Sequence, residues 1–166
     1  MDEFHELLAG LMMVRQPAVS GRVLIVDDDE RERSALAAIL SGGNFDTQLA
    51  VNGREALELL TDFHADVIVA DLVMPRMDGF ELLRYLKDHG DLTPAIALTG
   101  FGSMDKALTA VHDLKAFWFL EKPVEPHAFE ILLDRAIHHT RALREADELK
   151  RTLTIALSRW ARALRR

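Results

Sequence analysis

Val67-Ile-Val-Ala-Asp71-Leu-Val-Met-Pro75-Arg-Met-Asp-Gly79 is the stretch whose reading decides the fold. It starts as a short apolar run rich in β-branched residues, the pattern of a strand buried on both faces. The run ends at a carboxylate, Asp71. Pro75 bars simple continuation of the strand. Asp78-Gly79 then supplies turn chemistry before Phe80-Glu-Leu-Leu-Arg-Tyr-Leu86 opens an amphipathic helix. An acid at the C-terminal tip of a buried parallel strand sits where open α/β sheets bind ligands, so Asp71 is a site candidate.

The same pattern recurs on either side. Arg22-Val-Leu-Ile-Val26 ends in Asp27-Asp28-Asp29, Ala95-Ile-Ala-Leu-Thr99 ends in a hydroxyl, and Phe117-Trp-Phe-Leu120 ends in Glu121-Lys122-Pro123. Phe45–Val51 carries a weaker strand signal. Helical spacing predicts Glu30–Leu40, with Leu36, Ile39 and Leu40 inward and Ser41-Gly-Gly43 as the stop. It also predicts Arg54–Phe63 after an Asn52-Gly53 turn, and Met104–Leu114 with Ser103 as N-cap. A last helix starts near Pro126, with Pro123 and Pro126 both outside its interior. Strands alternating with helix-length crossovers give a parallel sheet sheathed on both faces. The expected fold is α/β: a doubly wound, flavodoxin-like sheet of five parallel strands in order 2-1-3-4-5, plus an extended C-terminal helix. Its crevice lies between strands 1 and 3 and receives the Asp27-Asp28 tip and the Asp71 tip together.

Composition narrows the function classes. The chain is 49% apolar and 28% charged with a formal net charge of −7, which argues against direct nucleic-acid binding by bulk electrostatics. It has no cysteine, so disulfides and thiolate metal sites are excluded. The apolar run Leu7–Val14 is too short to span a bilayer, and Asp2 and Glu3 are the wrong start for a signal peptide, so the expected location is cytoplasmic with no membrane contact.

Four strand tips place Asp27/Asp28, Asp71, Thr99 and Lys122 on one sheet edge. Converging carboxylates want a hard divalent cation, and an oxygen-only set without Cys or His favours Mg²⁺. A hydroxyl and an ammonium beside such a metal are what a developing phosphoryl charge needs. The chain has neither a Gly-x4-Gly-Lys-Ser/Thr loop nor a Gly-x-Gly-x-x-Gly fingerprint, so nucleotide binding has no support. Asp29 and Glu30 read as first-turn acids favoured by the helix dipole, and Asp78 reads as a turn residue.

Val23-Leu-Ile-Val-Asp-Asp-Asp29, Asp71-Leu-Val-Met-Pro-Arg-Met-Asp-Gly79, Ala97-Leu-Thr-Gly100 and Leu120-Glu-Lys-Pro123 resemble the receiver domain of two-component response regulators over residues 22–138. Gly100-Phe-Gly102 and the Glu-Lys-Pro-Val ending are most similar to receivers of NtrC-type regulators, which control ATPase-type transcription activators. The resemblance implies that Asp71 is the phosphoacceptor, charged from a histidine kinase or phosphotransfer protein. It implies Mg²⁺ held by Asp28 and Asp71 side chains, by Asp27 through water and by the Val73 backbone carbonyl. It also implies that Thr99 binds a phosphoryl oxygen, that Lys122 pairs with Asp71 or its phosphate, and that Thr99 and Phe119 form the switch pair. Such a domain catalyses only its own phosphorylation and dephosphorylation. The alternative is a Mg²⁺-dependent aspartate-based phosphohydrolase on a similar sheet, but Asp71-Leu-Val lacks the second acid of an Asp-x-Asp pair.

Some positions depart from the family pattern. Phe119 lacks the commoner tyrosine hydroxyl, and Trp118 widens the apolar patch beside it. Lys115 stands where glycine is usual. Val73 and Phe101 are apolar where side chains help admit attacking water, which predicts a long-lived phosphoryl group.

Residues 1–21 form an N-terminal extension in which Phe4–Arg15 has helical spacing. From Phe129 the apolar pattern runs on through Leu132, Ala136, His139, Leu143, Ala146, Lys150, Leu153, Leu157, Trp160 and Leu164 at 3-4 spacing. Such a seam predicts a long helix whose extension over 139–166 seeks a partner along a coiled coil, as a linker or as the segment through which a homodimer forms.

Overall fold

Strands β1 (Gly21–Val26), β2 (Phe45–Ala50), β3 (Val67–Asp71), β4 (Ala95–Thr99) and β5 (Trp118–Glu121) pair in parallel in the order β2-β1-β3-β4-β5, as the apolar runs predict. The computed structural model describes residues 20–100 and 102–163. Successive strand residues point to opposite faces. Leu24, Val26, Ile68, Ala70, Ala95 and Ala97 therefore face one helical layer, while Val23, Ile25, Val67, Val69, Ile96 and Leu98 face the other. Helices α2 (Gly53–Leu60), α3 (Gly79–Asp88) and α4 (Met104–His112) cover the first face through Ala56, Leu82, Leu83, Leu86 and Ala110. Helices α1 (Glu30–Leu40) and α5 (Pro126–Ala163) cover the second through Leu36, Leu40, Phe129, Leu133, Ala136 and Ile137.

The strand register fixes what meets at the upper edge. Val26 stands opposite Ala70, which brings Asp27 level with Asp71; Asp71 stands opposite Leu98, one step short of Thr99. Thr99 in turn faces Glu121, and the Lys122 N–H donates to the Thr99 carbonyl at 2.8 Å.

Several local expectations need correction. Asn52-Gly53 is no free turn: Asn52 is the N-cap of α2, its side chain accepting from the Glu55 N–H at 3.0 Å, and Gly53 is the first helical residue. Ser103 occupies the N-cap position of α4 but makes no side-chain cap bond. Ile39 is only partly buried. Lys115, by contrast, needs no correction: it stands where glycine is usual and adopts the left-handed backbone that glycine suits, with φ 59°. β1 begins at Gly21, inside the expected extension.

Helix α5 is 38 residues long and runs unbroken through residue 138, which makes it about 57 Å from end to end. Its buried stripe is Phe129, Leu133, Ala136, Ile137 and Thr140, not the Phe129, Leu132, Ala136, His139 line of the predicted seam. The reason is that the first turns pack on the sheet, and their orientation follows that docking. From Leu143 to Trp160 the seam positions are exposed. A polar clamp holds α5 where it leaves the body. Thr140 Oγ1 donates to the Asp66 carbonyl at 2.6 Å, and the Arg144 guanidinium pairs with the Asp66 carboxylate, whose other oxygen accepts from the Arg22 N–H at 2.8 Å. No helix among the described residues is long and apolar enough to cross a membrane. The expected Phe4–Arg15 helix, Phe101 and Leu164 lie outside the described residues.

Candidate functional site

Asp71 closes a strand whose residues are all buried, and its own side chain is only 12% exposed. The chain turns back immediately over the strand end. The Val73 N–H donates to Asp71 Oδ1 at 2.9 Å, and α3 then starts at Gly79 behind a capping box of Asp78 and Glu81. Asp27, at the end of β1, is fully buried; the Asp29 N–H donates to its Oδ1 at 2.9 Å, and the Arg33 guanidinium donates to its carbonyl at 2.7 Å. Asp29 itself is the N-cap of α1, accepting from the Arg31 and Glu32 N–H groups. Asp28 is exposed at the mouth.

Ligand oxygens of Asp27, Asp28 and Asp71 all lie within 4.8 Å of one another. Carboxylates that close repel unless a cation intervenes. One is supplied by the chain: Lys122 Nζ donates to Asp71 Oδ2 at 2.7 Å and to Asp27 Oδ2 at 2.9 Å. Its third partner is Glu32, from the first turn of α1. Hydrogen bonds to Asp71, Glu32 and Asp27 hold Lys122 above its ordinary value, although burial, the largest single influence, works the other way. Burial pushes the Asp27 carboxyl above its ordinary value, against the pull of its bonds to Lys122 and the Asp29 N–H. Four carboxylates around one ammonium leave the corner anionic. Oxygen-only donors in a concave anionic corner fit a hard divalent cation such as Mg²⁺.

Thr99 is 3% exposed at the tip of β4. Phe119 is half-buried, packed against the core under α2, α3 and α4, with its ring 6.2 Å from that of exposed Trp118 and nearly parallel to it. Asp27, Asp28, Asp71 and Lys122 are therefore one cluster, and Thr99 and Phe119 stand on the adjoining strands. Glu32 and Arg33 were not singled out from the sequence. Their only signal was placement one turn beyond Asp28 on a helix starting at the site, which first-turn acids share for dipole reasons.

A family model described as the response regulator receiver domain matches residues 23–134. The chain is 33% identical to the regulatory protein AtoC of Escherichia coli K12 over 133 residues, covering 80% of this chain and 29% of that protein. It is 40% identical to the response regulator MprA of Mycolicibacterium vanbaalenii over 114 residues, covering 69% and 48% respectively. The chain thus spans less than half the length of these curated relatives. Among solved structures, the receiver domain of the Francisella response regulator 1452 superposes with a TM-score of 0.68 at 29% identity, over 72% of this chain and 98% of that one. NtrX from Brucella abortus superposes with a TM-score of 0.72 at 27% identity, over 78% and 30%.

Proposed function

The chain belongs to the response regulator receiver domain family, and from that premise we propose that it is the phosphoacceptor switch of a two-component system, with Asp71 as the acceptor. The observation that carries this reading is the Lys122 ammonium bound at once to Asp71 and Asp27, in the same corner as Asp28. Asp71 is a carboxylate nucleophile with one oxygen tied to the Val73 N–H and the other to Lys122. An in-line phosphoryl donor, the phosphohistidine of a kinase or phosphotransfer protein, loses its P–N bond as the Asp71 O–P bond forms. The developing charge on the phosphoryl oxygens meets Lys122 on one side and the Thr99 hydroxyl on the other. Asp28, Asp71 and the Val73 carbonyl would hold Mg²⁺, with Asp27 behind them, and the bound ion would supply charge neutralisation at the phosphoryl oxygens.

Thr99 and Phe119 are the switch. Once Thr99 turns towards the phosphoryl group, space opens for the half-buried Phe119 ring to move inward and take its contact with Trp118 along. Phosphorylation then shifts a pre-existing two-state equilibrium by a few kcal/mol. Output passes through α5, whose exposed Leu153, Leu157 and Trp160 continue the 3-4 seam and suit a second copy of the chain. The chain turns over only its own phosphoryl group. Incubation with Mg²⁺ and a small acyl phosphate tests this: a switch yields one stable adduct per chain, whereas turnover of a phosphoester would make it a hydrolase.

A further inference from the structure

Lys122 spends all three of its N–H donors on carboxylates from three elements: Asp27 at the end of β1, Asp71 at the end of β3 and Glu32 in the first turn of α1. The three partners are not equivalent. Asp27 is fully buried and Asp71 nearly so, and each has its other oxygen tied to a backbone N–H. Glu32 has 46% of its side chain exposed and sits on a helix capped independently by Asp29. It alone can swing into water without leaving a buried charge behind.

We propose that Glu32 is a positioning residue of the phosphorylation site: its carboxylate occupies the Lys122 donor that a phosphoryl oxygen on Asp71 takes, so that charging the site exchanges one anion for another on the Lys122 ammonium. The inference rests on Asp71 being the phosphoacceptor. When the Asp71 O–P bond forms and the donor's bond to phosphorus breaks, Asp71 loses its own charge but gains a group carrying about two. The added negative charge arrives beside an ammonium whose other two donors are held by the carboxylates of Asp27 and Glu32. The half-exposed Glu32 is the partner that yields, and its bond to Lys122, charge-assisted and partly sheltered, holds the uncharged arrangement in place until then. Glu32 thus opposes anions entering the corner.

Titration of the protein with beryllofluoride and Mg²⁺ tests this in Glu32→Gln and Glu32→Ala, with Glu30→Gln as a control that removes the same charge from the same helical turn. Both Glu32 variants should bind beryllofluoride on the order of tenfold more tightly than the wild type. With acetyl phosphate the gain should appear as a lower KM. In metal-free protein the Lys122 ¹⁵Nζ resonance should move in the Glu32 variants and stay in place in Glu30→Gln. Unchanged or weaker beryllofluoride binding in both Glu32 variants, or an equal gain in Glu30→Gln, overturns the proposal while leaving Asp71 as acceptor. Absence of any adduct in the wild type and every variant overturns the phosphoacceptor reading and this one with it.

Discussion

Gly79 has no room for a side chain, since an ideal Cβ there would stand 2.2 Å from the Asp71 carbonyl oxygen. The first turn of α3 is pressed against the end of β3, which is how the loop after Asp71 is kept short and the carboxylate kept in place. Gly79→Ala should therefore cost about 3 kcal/mol of stability and impair phosphorylation together, read by denaturant unfolding and labelling of one preparation. The opposite sign is expected at Lys115, where φ is 59°: Lys115→Gly should stabilise by about 1 kcal/mol, because a Cβ in that region clashes with the backbone. At Val73, a 57% exposed apolar residue two positions beyond Asp71 offers attacking water no partner. Val73→Asn should shorten the life of the phosphoryl group, followed as loss of label after the donor is removed; an unchanged half-life would refute that role. The four acidic, hydroxyl and ammonium tips were legible in the sequence because each ends a continuous apolar run. Glu32 was not, because its partner Lys122 is 90 residues away and no local pattern marks the pairing.

Elements differ in how openly their sequence declares them. The strands and their order could be read because burial on both faces leaves nearly unbroken apolar runs. The docked face of α5 could not, since its first turns carry two overlapping apolar stripes and the choice between them depends on the sheet beneath. Nor could the clamp at Asp66, whose partners Thr140 and Arg144 are 74 and 78 residues away. Asp66→Ala leaves the Arg22 N–H without its acceptor and the Arg144 guanidinium with only the Ala65 carbonyl, and should destabilise the chain by about 2 kcal/mol in denaturant unfolding. Hydrogen–deuterium exchange along α5 should rise with it. Two helix starts are sensitive to acid. Backbone N–H groups of Glu32 and Arg31 hold the Asp29 carboxyl below its ordinary value of 3.8, and those of Ala128 and His127 hold Glu125 below 4.5. A depressed carboxyl contributes stability that is present above its ordinary value and lost as pH falls through the lowered one. Thermal midpoints of Asp29→Asn and Glu125→Gln should thus depend less steeply on pH below 4.5 than that of the wild type.

For the whole molecule, the proposed phosphorylation at one edge of the sheet would have to reach a helix whose clamp lies at the other. The two ends share β1 and β3: Asp27 and Asp71 sit at their tips, while Arg22 and Asp66 sit where they begin. In the proposed switch, helix α5 carries the change of packing outward along exposed Leu153, Leu157 and Trp160. Light scattering with and without beryllofluoride and Mg²⁺ should show mass rising towards that of a dimer, and Leu157→Glu should abolish the rise. All of this depends on Asp71 taking a phosphoryl group. The most direct measurement is the stoichiometry and position of label after incubation with acetyl phosphate and Mg²⁺, read by intact mass and peptide mapping. One phosphoryl group per chain on Asp71, absent from Asp71→Asn, is the predicted result; full labelling of Asp71→Asn, or none in the wild type, would contradict it.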